Sequence, residues 1–278
     1  MNSKTNVKIL VCAHKPADLL ANDIYMPLQV GKAISDVDLG IQGDDTGENI
    51  SNKNLNYCEL TALYWAWKNL KDVDYIGLCH YRRFLDFRFS RFRVRHKYSI
   101  QFQELESLGT ALPDISSFFK KYDIVLPRPA IFIRNLRDEY YMYHIKEDFD
   151  ILREVVTEMT PDYRNAFEKV MDHNNKLISY NMFLTKKEIF DDYCSWVFPI
   201  LFEVEKRIKI SAYPYQARVF GFMGERLFNI YCYHHKLKVK SCPMLFVYDQ
   251  KQRTDSLFYY FIKRLQVHVA YRMMKMKM

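Results

Sequence analysis

Glycine and proline are scarce in this chain, 8 and 9 residues among 278, which argues against low-complexity linkers and against wholesale disorder. No two of its six cysteines, Cys12, Cys58, Cys79, Cys194, Cys232 and Cys242, stand at a metal-ligand spacing such as C-x-x-C, and most lie in apolar surroundings. They read as buried thiols of a reducing compartment. The phosphate-loop pattern G-x-x-x-x-G-K-[ST], the dinucleotide pattern G-x-G-x-x-G, the G-x-S-x-G elbow and H-E-x-x-H are all missing. Nucleotide-triphosphate hydrolysis, hydride transfer, serine hydrolysis and zinc proteolysis lose ground accordingly. His234 and His235 are adjacent, which is not helical ligand spacing. No apolar run approaches the ~20 residues of a membrane span. The longest, Trp196 to Phe202, is broken by Pro199 and followed by Glu203. The apolar stretch Ile9 to Ala13 is too short for a secretory leader and runs into Lys15-Pro16. The expectation is a soluble cytoplasmic protein.

What is plentiful is aromatic and basic. The 21 Tyr and 20 Phe support a large core and leave rings to stack on a base or a sugar. The net charge of +8 favours an anionic partner. Between Arg82 and Lys97 there are seven cations, Arg82, Arg83, Arg88, Arg91, Arg93, Arg95 and Lys97, against Asp86 alone. No nucleic-acid-binding motif accompanies them, so a nucleic-acid partner is not expected.

Hydrophobic patterning predicts an α/β protein. Buried strands are expected at Lys8 to Ala13, Tyr75 to Cys79, Asp123 to Leu126 and Asn181 to Thr185, with late strands near Val239 and Leu245 to Tyr248. A helix from about Tyr57 to Leu70 is expected, with Asn56 as its N-cap, Glu59 at the reciprocal capping position, and Leu60, Leu63, Tyr64 and Trp67 on its core face. Further helices are expected over 138–170 and 187–209. Gly221 and Gly224 read as preceding a helix whose first turn carries Glu225. The segment Tyr75 to Phe84 carries the most chemistry: a short apolar strand ends in His80-Tyr81-Arg82-Arg83. Two guanidiniums beyond the carboxyl end of a strand suit a phosphate ester; an ordinary solvated strand end is the competing reading.

Five segments occur in a telling order: Val11 to Pro16, Gly43 to Ser51, Tyr57 to Asn69, Tyr75 to Arg83, and Tyr215 to Leu227. Together they resemble the bacterial family called domain of unknown function 4422, whose members are typically described as capsular or exopolysaccharide glycosyltransferases. The resemblance runs from about Val7 to Val247. It implies a GT-A-like nucleotide-binding sandwich, with a mixed, mainly parallel central sheet flanked by helices over residues 1–250. It also implies transfer of a sugar from a nucleotide-sugar donor, a UDP-hexose or UDP-galactofuranose, to a lipid-linked saccharide. Ala13, His14 and Lys15 would hold the nucleoside, and Asp44, Asp45 and Asn49 would close over base or ribose. His80 and Tyr81 would orient a phosphate or sugar hydroxyl, with Asn181, Gln216, Arg218 and Arg226 as further substrate contacts. In many enzymes of this fold an Asp-x-Asp after a central strand holds a divalent metal on the diphosphate. That place here carries Arg82 and Arg83, so the resemblance implies neutralisation by arginine and no required cofactor. Should Mn²⁺ or Mg²⁺ be needed, Asp44 and Asp45 are its candidates. Glu225 would be the base that deprotonates the acceptor. A non-catalytic sugar-nucleotide or polysaccharide-binding subunit of the same machinery is the alternative.

Residues 251–278 stand apart. Leu257, Phe261, Leu265, Val269 and Met273 recur every four residues among Lys263, Arg264 and Arg272. This predicts a basic amphipathic helix that either lies on an anionic membrane surface or docks on the domain.

Overall fold

The computed structural model describes residues 5–89, 94–108, 112–248 and 256–275. The chain divides into two compact units: Met1–Arg128 with Asn181–Cys194 and Leu237–Arg253, and Pro129–Tyr180 with Ser195–Lys236 and Thr254–Met278. Strands in chain order are β1 (Val7–Ala13), β2 (Tyr25–Gln29), β3 (Tyr75–His80), β4 (Arg83–Leu85), β5 (Lys97–Ile100), β6 (Ile124–Pro127), β7 (Ala130–Ile131), β8 (Lys176–Leu177), β9 (Phe183–Lys186), β10 (Val239–Cys242) and β11 (Met244–Val247).

The first unit is built on a mixed nine-stranded sheet, most of whose paired length is parallel. β1 lies between β2 and β3, parallel to both, and β9 runs antiparallel between β3 and β6. Strands buried on both faces should read as unbroken apolar runs, and β1 and β3 do: Ile9, Leu10, Val11, Ile76 and Leu78 are fully enclosed. Gly77 marks a close approach. A Cβ there would stand 2.7 Å from the Phe183 carbonyl oxygen of β9. β2, with Pro27 in it, was not expected from the sequence. Proline is admissible here because, among the described strands, β2 pairs with β1 alone, its other side meeting only a single bridge from Gln29 to Gly43. Strand β3 runs one residue further than expected, to His80, and turns straight back into β4 with His80 opposite Arg83.

The expected helix over 57–70 is broken. A short helix, Asn54–Tyr57, stops at Cys58, whose φ is 51°, and a second runs Leu60–Asn69. Asn54 Nδ2 and the Thr61 hydroxyl both donate to the Cys58 carbonyl, at 2.8 and 3.1 Å, and so stabilise the break. Glu59 therefore forms no capping box. Trp65 is buried and Trp67 only half-buried, the reverse of the expected order.

The second unit is mainly helical: Leu136–Tyr143, Lys146–Met159, Arg164–Met171, residues 195–207, Val219–His234 and Leu257–Lys275, with the small β7–β8 pair. Its core holds Tyr140, Phe149, Leu152, Phe167, Phe198, Phe220 and Leu227. The Val219–His234 helix starts before its glycines. Gly221 and Gly224 are buried inside it, and Glu225 lies in its second turn, not its first.

Candidate active site

Three parallel strands finish at one edge of the first unit's sheet. Pairing sets Cys12 level with His80 and Ala13 level with Gln29. The Tyr81 N–H donates to the Cys12 carbonyl at 3.1 Å and the Val30 N–H to the buried Ala13 carbonyl at 2.9 Å. The side chains beyond these ends therefore share a small area: His14 and Lys15 after β1, Lys32 after β2, Tyr81 and Arg82 after β3. Carboxyl ends of parallel strands are where open α/β sheets bind ligands. His14 meets Tyr81 edge to face, with centroids 5.7 Å apart. The Arg82 guanidinium lies 5.5 Å from the Tyr81 ring centroid and is exposed.

The two arginines have different surroundings. Tyr81 and Arg82 form the tip of the β3–β4 turn. Arg83 belongs to β4, pairs in register with Phe246 and lies over its ring at 5.6 Å. Arg88 is held by the buried Asp86 through two hydrogen bonds, at 2.7 and 3.0 Å. Arg91 and Arg93 lie outside the described residues.

The Gly43–Ser51 loop is drawn to the same edge by a bridge between Gln29 and Gly43. Its two acids part company. Asp44 is fully buried: one oxygen accepts from Gly31 N–H at 3.0 Å, the other from Lys32 N–H at 3.1 Å and from the Ser51 hydroxyl. Such a carboxylate shapes the turn after β2, where Gly31 takes φ 68°. Asp45 is exposed. Asn49 closes the loop on itself, donating to the Asp45 and Gly47 carbonyls at 2.9 and 3.0 Å. The indole N–H of Trp65 donates to Thr46 at 2.8 Å and the Tyr64 hydroxyl to Glu48 at 2.8 Å, so the Leu60–Asn69 helix carries the loop.

Asn181 is buried, with φ 49°, and its amide donates to Glu59 at 2.8 Å. Tyr180 before it also has positive φ, 72°. Consecutive left-handed residues with side chains are costly and concentrate at functional sites. The Glu59 contact spans 122 residues of chain, so no local pattern announces it. Burial, then Glu59, Cys79 and Asp44, push the Cys12 thiol well above its usual value, so Cys12 is a packing residue and not a nucleophile.

In the second unit, Glu225 accepts from the Tyr180 N–H at 2.6 Å through one oxygen and pairs with Arg226 at 3.0 Å through the other. Arg226 is buried and also pairs with Glu139 at 2.8 Å, so its guanidinium is committed to two carboxylates. Gln216 donates to the Tyr143 carbonyl at 2.9 Å, and exposed Arg218 lies 5.7 Å from the Phe222 ring centroid. Between them sits His144, against Phe222 at 4.1 Å and beneath Tyr215 at 5.9 Å. Burial, then the Arg226 charge, lower its pKa to about 4. Sequence reading passed over His144 and Glu139, and read Glu59 only as a capping residue.

The chain belongs to the DUF4422 family, a domain of unknown function whose sequence profile matches residues 8–236. Among solved structures, the apo structure of the bifunctional glycosyltransferase WbbM is similar to it over 91% of this chain, with a TM-score of 0.82 and 35% identity. The chain spans 48% of that protein, about half its length. No curated protein matches.

Proposed function

We propose that this chain is a glycosyltransferase that moves a sugar from a nucleotide-sugar donor to a saccharide acceptor. The convergence of His14, Lys15, Tyr81 and Arg82 at the carboxyl ends of parallel strands carries the reading, and the likeness to WbbM supports it. In this reading the nucleoside lies along His14 and Lys15, with Asp45 at the ribose. Arg82 faces the diphosphate and stabilises the charge that grows on it as the bond to the sugar breaks. Arg83 braces the turn from β4. Asp44, fully engaged by Gly31, Lys32 and Ser51, is a poor fit to a divalent cation, and in this reading Arg82 supplies the positive charge at the diphosphate. Glu225, oriented by Tyr180 and Arg226, takes the acceptor's proton. A UDP-hexose or UDP-galactofuranose is the proposed donor. A lipid-linked saccharide of capsule or exopolysaccharide assembly is the proposed acceptor.

Donor hydrolysis in excess EDTA tests this. Slow release of nucleoside diphosphate from a sugar nucleotide is expected. Tight donor binding with no release would instead assign a binding subunit, and a strict Mn²⁺ or Mg²⁺ requirement would move the diphosphate site towards Asp45.

A further inference from the structure

The Leu257–Lys275 helix is inside out for a helix that serves only its own unit. It packs beside β7, and the Tyr271 hydroxyl donates to the His173 carbonyl at 3.1 Å. The residues on that side, Tyr260, Arg264, Val267, Tyr271 and Met274, are half-buried and include the polar groups: Arg264 donates to the Tyr260 hydroxyl at 2.8 Å. Leu257, Phe261, Leu265, Val269 and Met273 face away and are 46% to 63% exposed, and Phe258 is 76% exposed. At about 100° per residue these six span about 160° of the helix circumference, centred well over 90° from the docked side. An outward apolar arc of this kind, interrupted at the surface by His268 and Arg272, marks an interaction surface, since scattered exposed apolar residues would not align.

Charge identifies what covers it. From Ser256 to Met278 the chain holds Lys263, Arg264, Arg272, Lys275 and Lys277 and no acidic residue. A second copy docked through this stripe would bring two such sets of cations together, which is unfavourable. A bilayer with anionic headgroups meets both needs, taking the apolar side chains to its acyl boundary and pairing with the cations. Arg272, within the arc near the helix end, has the long stem that lets a guanidinium reach headgroup level. The helix is too polar to cross: among the described residues no helix is long and apolar enough to span a membrane.

We infer that the Leu257–Lys275 helix is an in-plane anchor, docked on its own unit by one face and adsorbed to an anionic bilayer by the other. The inference is independent of the donor-site reading. The test is flotation of the full chain with phosphatidylcholine vesicles, with and without phosphatidylglycerol, at low and high salt. Flotation with the anionic vesicles is expected, suppressed by salt. The pair Lys263→Gln and Arg272→Gln should weaken it about tenfold. The pair Leu265→Glu and Val269→Glu should abolish it while leaving the thermal melt and donor hydrolysis unchanged, because both side chains are exposed. Failure to float, or flotation indifferent to the two glutamates, would overturn the inference. A dimer in solution that these glutamates dissociate would assign the face to a second copy instead.

Discussion

Arg82 and Arg83 are neighbours in sequence but not in role, and the difference is measurable. Arg82→Ala should cut the rate of nucleoside diphosphate release by about 100-fold, the size seen when one preorganised donor to a developing anion is lost. Arg82→Lys should recover little of it, because an ammonium cannot supply the guanidinium fork. Arg83→Ala should act through the fold of β4, lowering the melting temperature more than the rate at permissive temperature. Glu225→Gln should abolish turnover while sparing donor binding; turnover that falls only in step with stability would make Glu225 a positioning residue. Arg226→Leu strands Glu139 and Glu225 without their partner and should cost about 3–5 kcal/mol in urea unfolding. Gly77→Ala should cost about 1–3 kcal/mol, because the added methyl meets backbone in β9 and not a flexible side chain. An alanine variant as stable as the parent would show that β3 and β9 can part.

At the scale of elements, the sequence was most legible where burial on both faces removes ambiguity. The β1 and β3 strands fall where apolar runs place them. The helix over 187–209 was also readable, with Pro199 inside it, and is observed as Lys187–Arg207. Legibility failed where long-range contacts overrule local preference. At Cys58 the cause is local but off-pattern: Asn54 and Thr61, four and three residues away, donate to its carbonyl and hold the break in a strongly helical stretch. Glu59 has the position of a capping residue but serves Asn181. β5 is a short strand whose pairing partner, β11, lies about 150 residues away, and β4 pairs with β11 over more of its length than with its neighbour β3. Of the candidate site, the place of Tyr81 and Arg82 at a strand end was legible in the apolar run before them, whereas His14 and Lys15 entered only through the family resemblance. The inward turn of Asp44 was not legible, since two adjacent acids in a loop read alike.

The helical unit also carries a pH signature. His144, lowered to about 4, is held neutral, so its contribution to stability is present above about pH 6.5 and lost as pH falls towards 4. Asp148 is raised to about 6 by burial and then by Glu147, so its contribution is present below about pH 4 and lost as pH rises through 6. The two oppose each other and flatten the parent's profile between. Urea unfolding should show His144→Gln better tolerated at pH 4.5 than at pH 7.5 by about 1 kcal/mol, and Asp148→Asn better tolerated at pH 7.5 by about as much, after discounting for solvent. Equal effects at both values would remove the titrations from the account of stability.

For the whole molecule, the two compact units divide the proposed roles. The sheet-built unit presents the strand ends assigned to the donor. The helical unit holds Glu225, the His144 cluster and the outward apolar stripe. The central claim, that an arginine at the end of β3 stabilises a departing nucleoside diphosphate, is tested most directly by single-turnover release of UDP from UDP-sugars in excess EDTA, comparing the parent with Arg82→Ala. The expected result is release by the parent and a rate about 100-fold lower in the variant with an unchanged melting temperature. Equal rates in the two proteins, or release by the parent only when a divalent metal is restored, would contradict it.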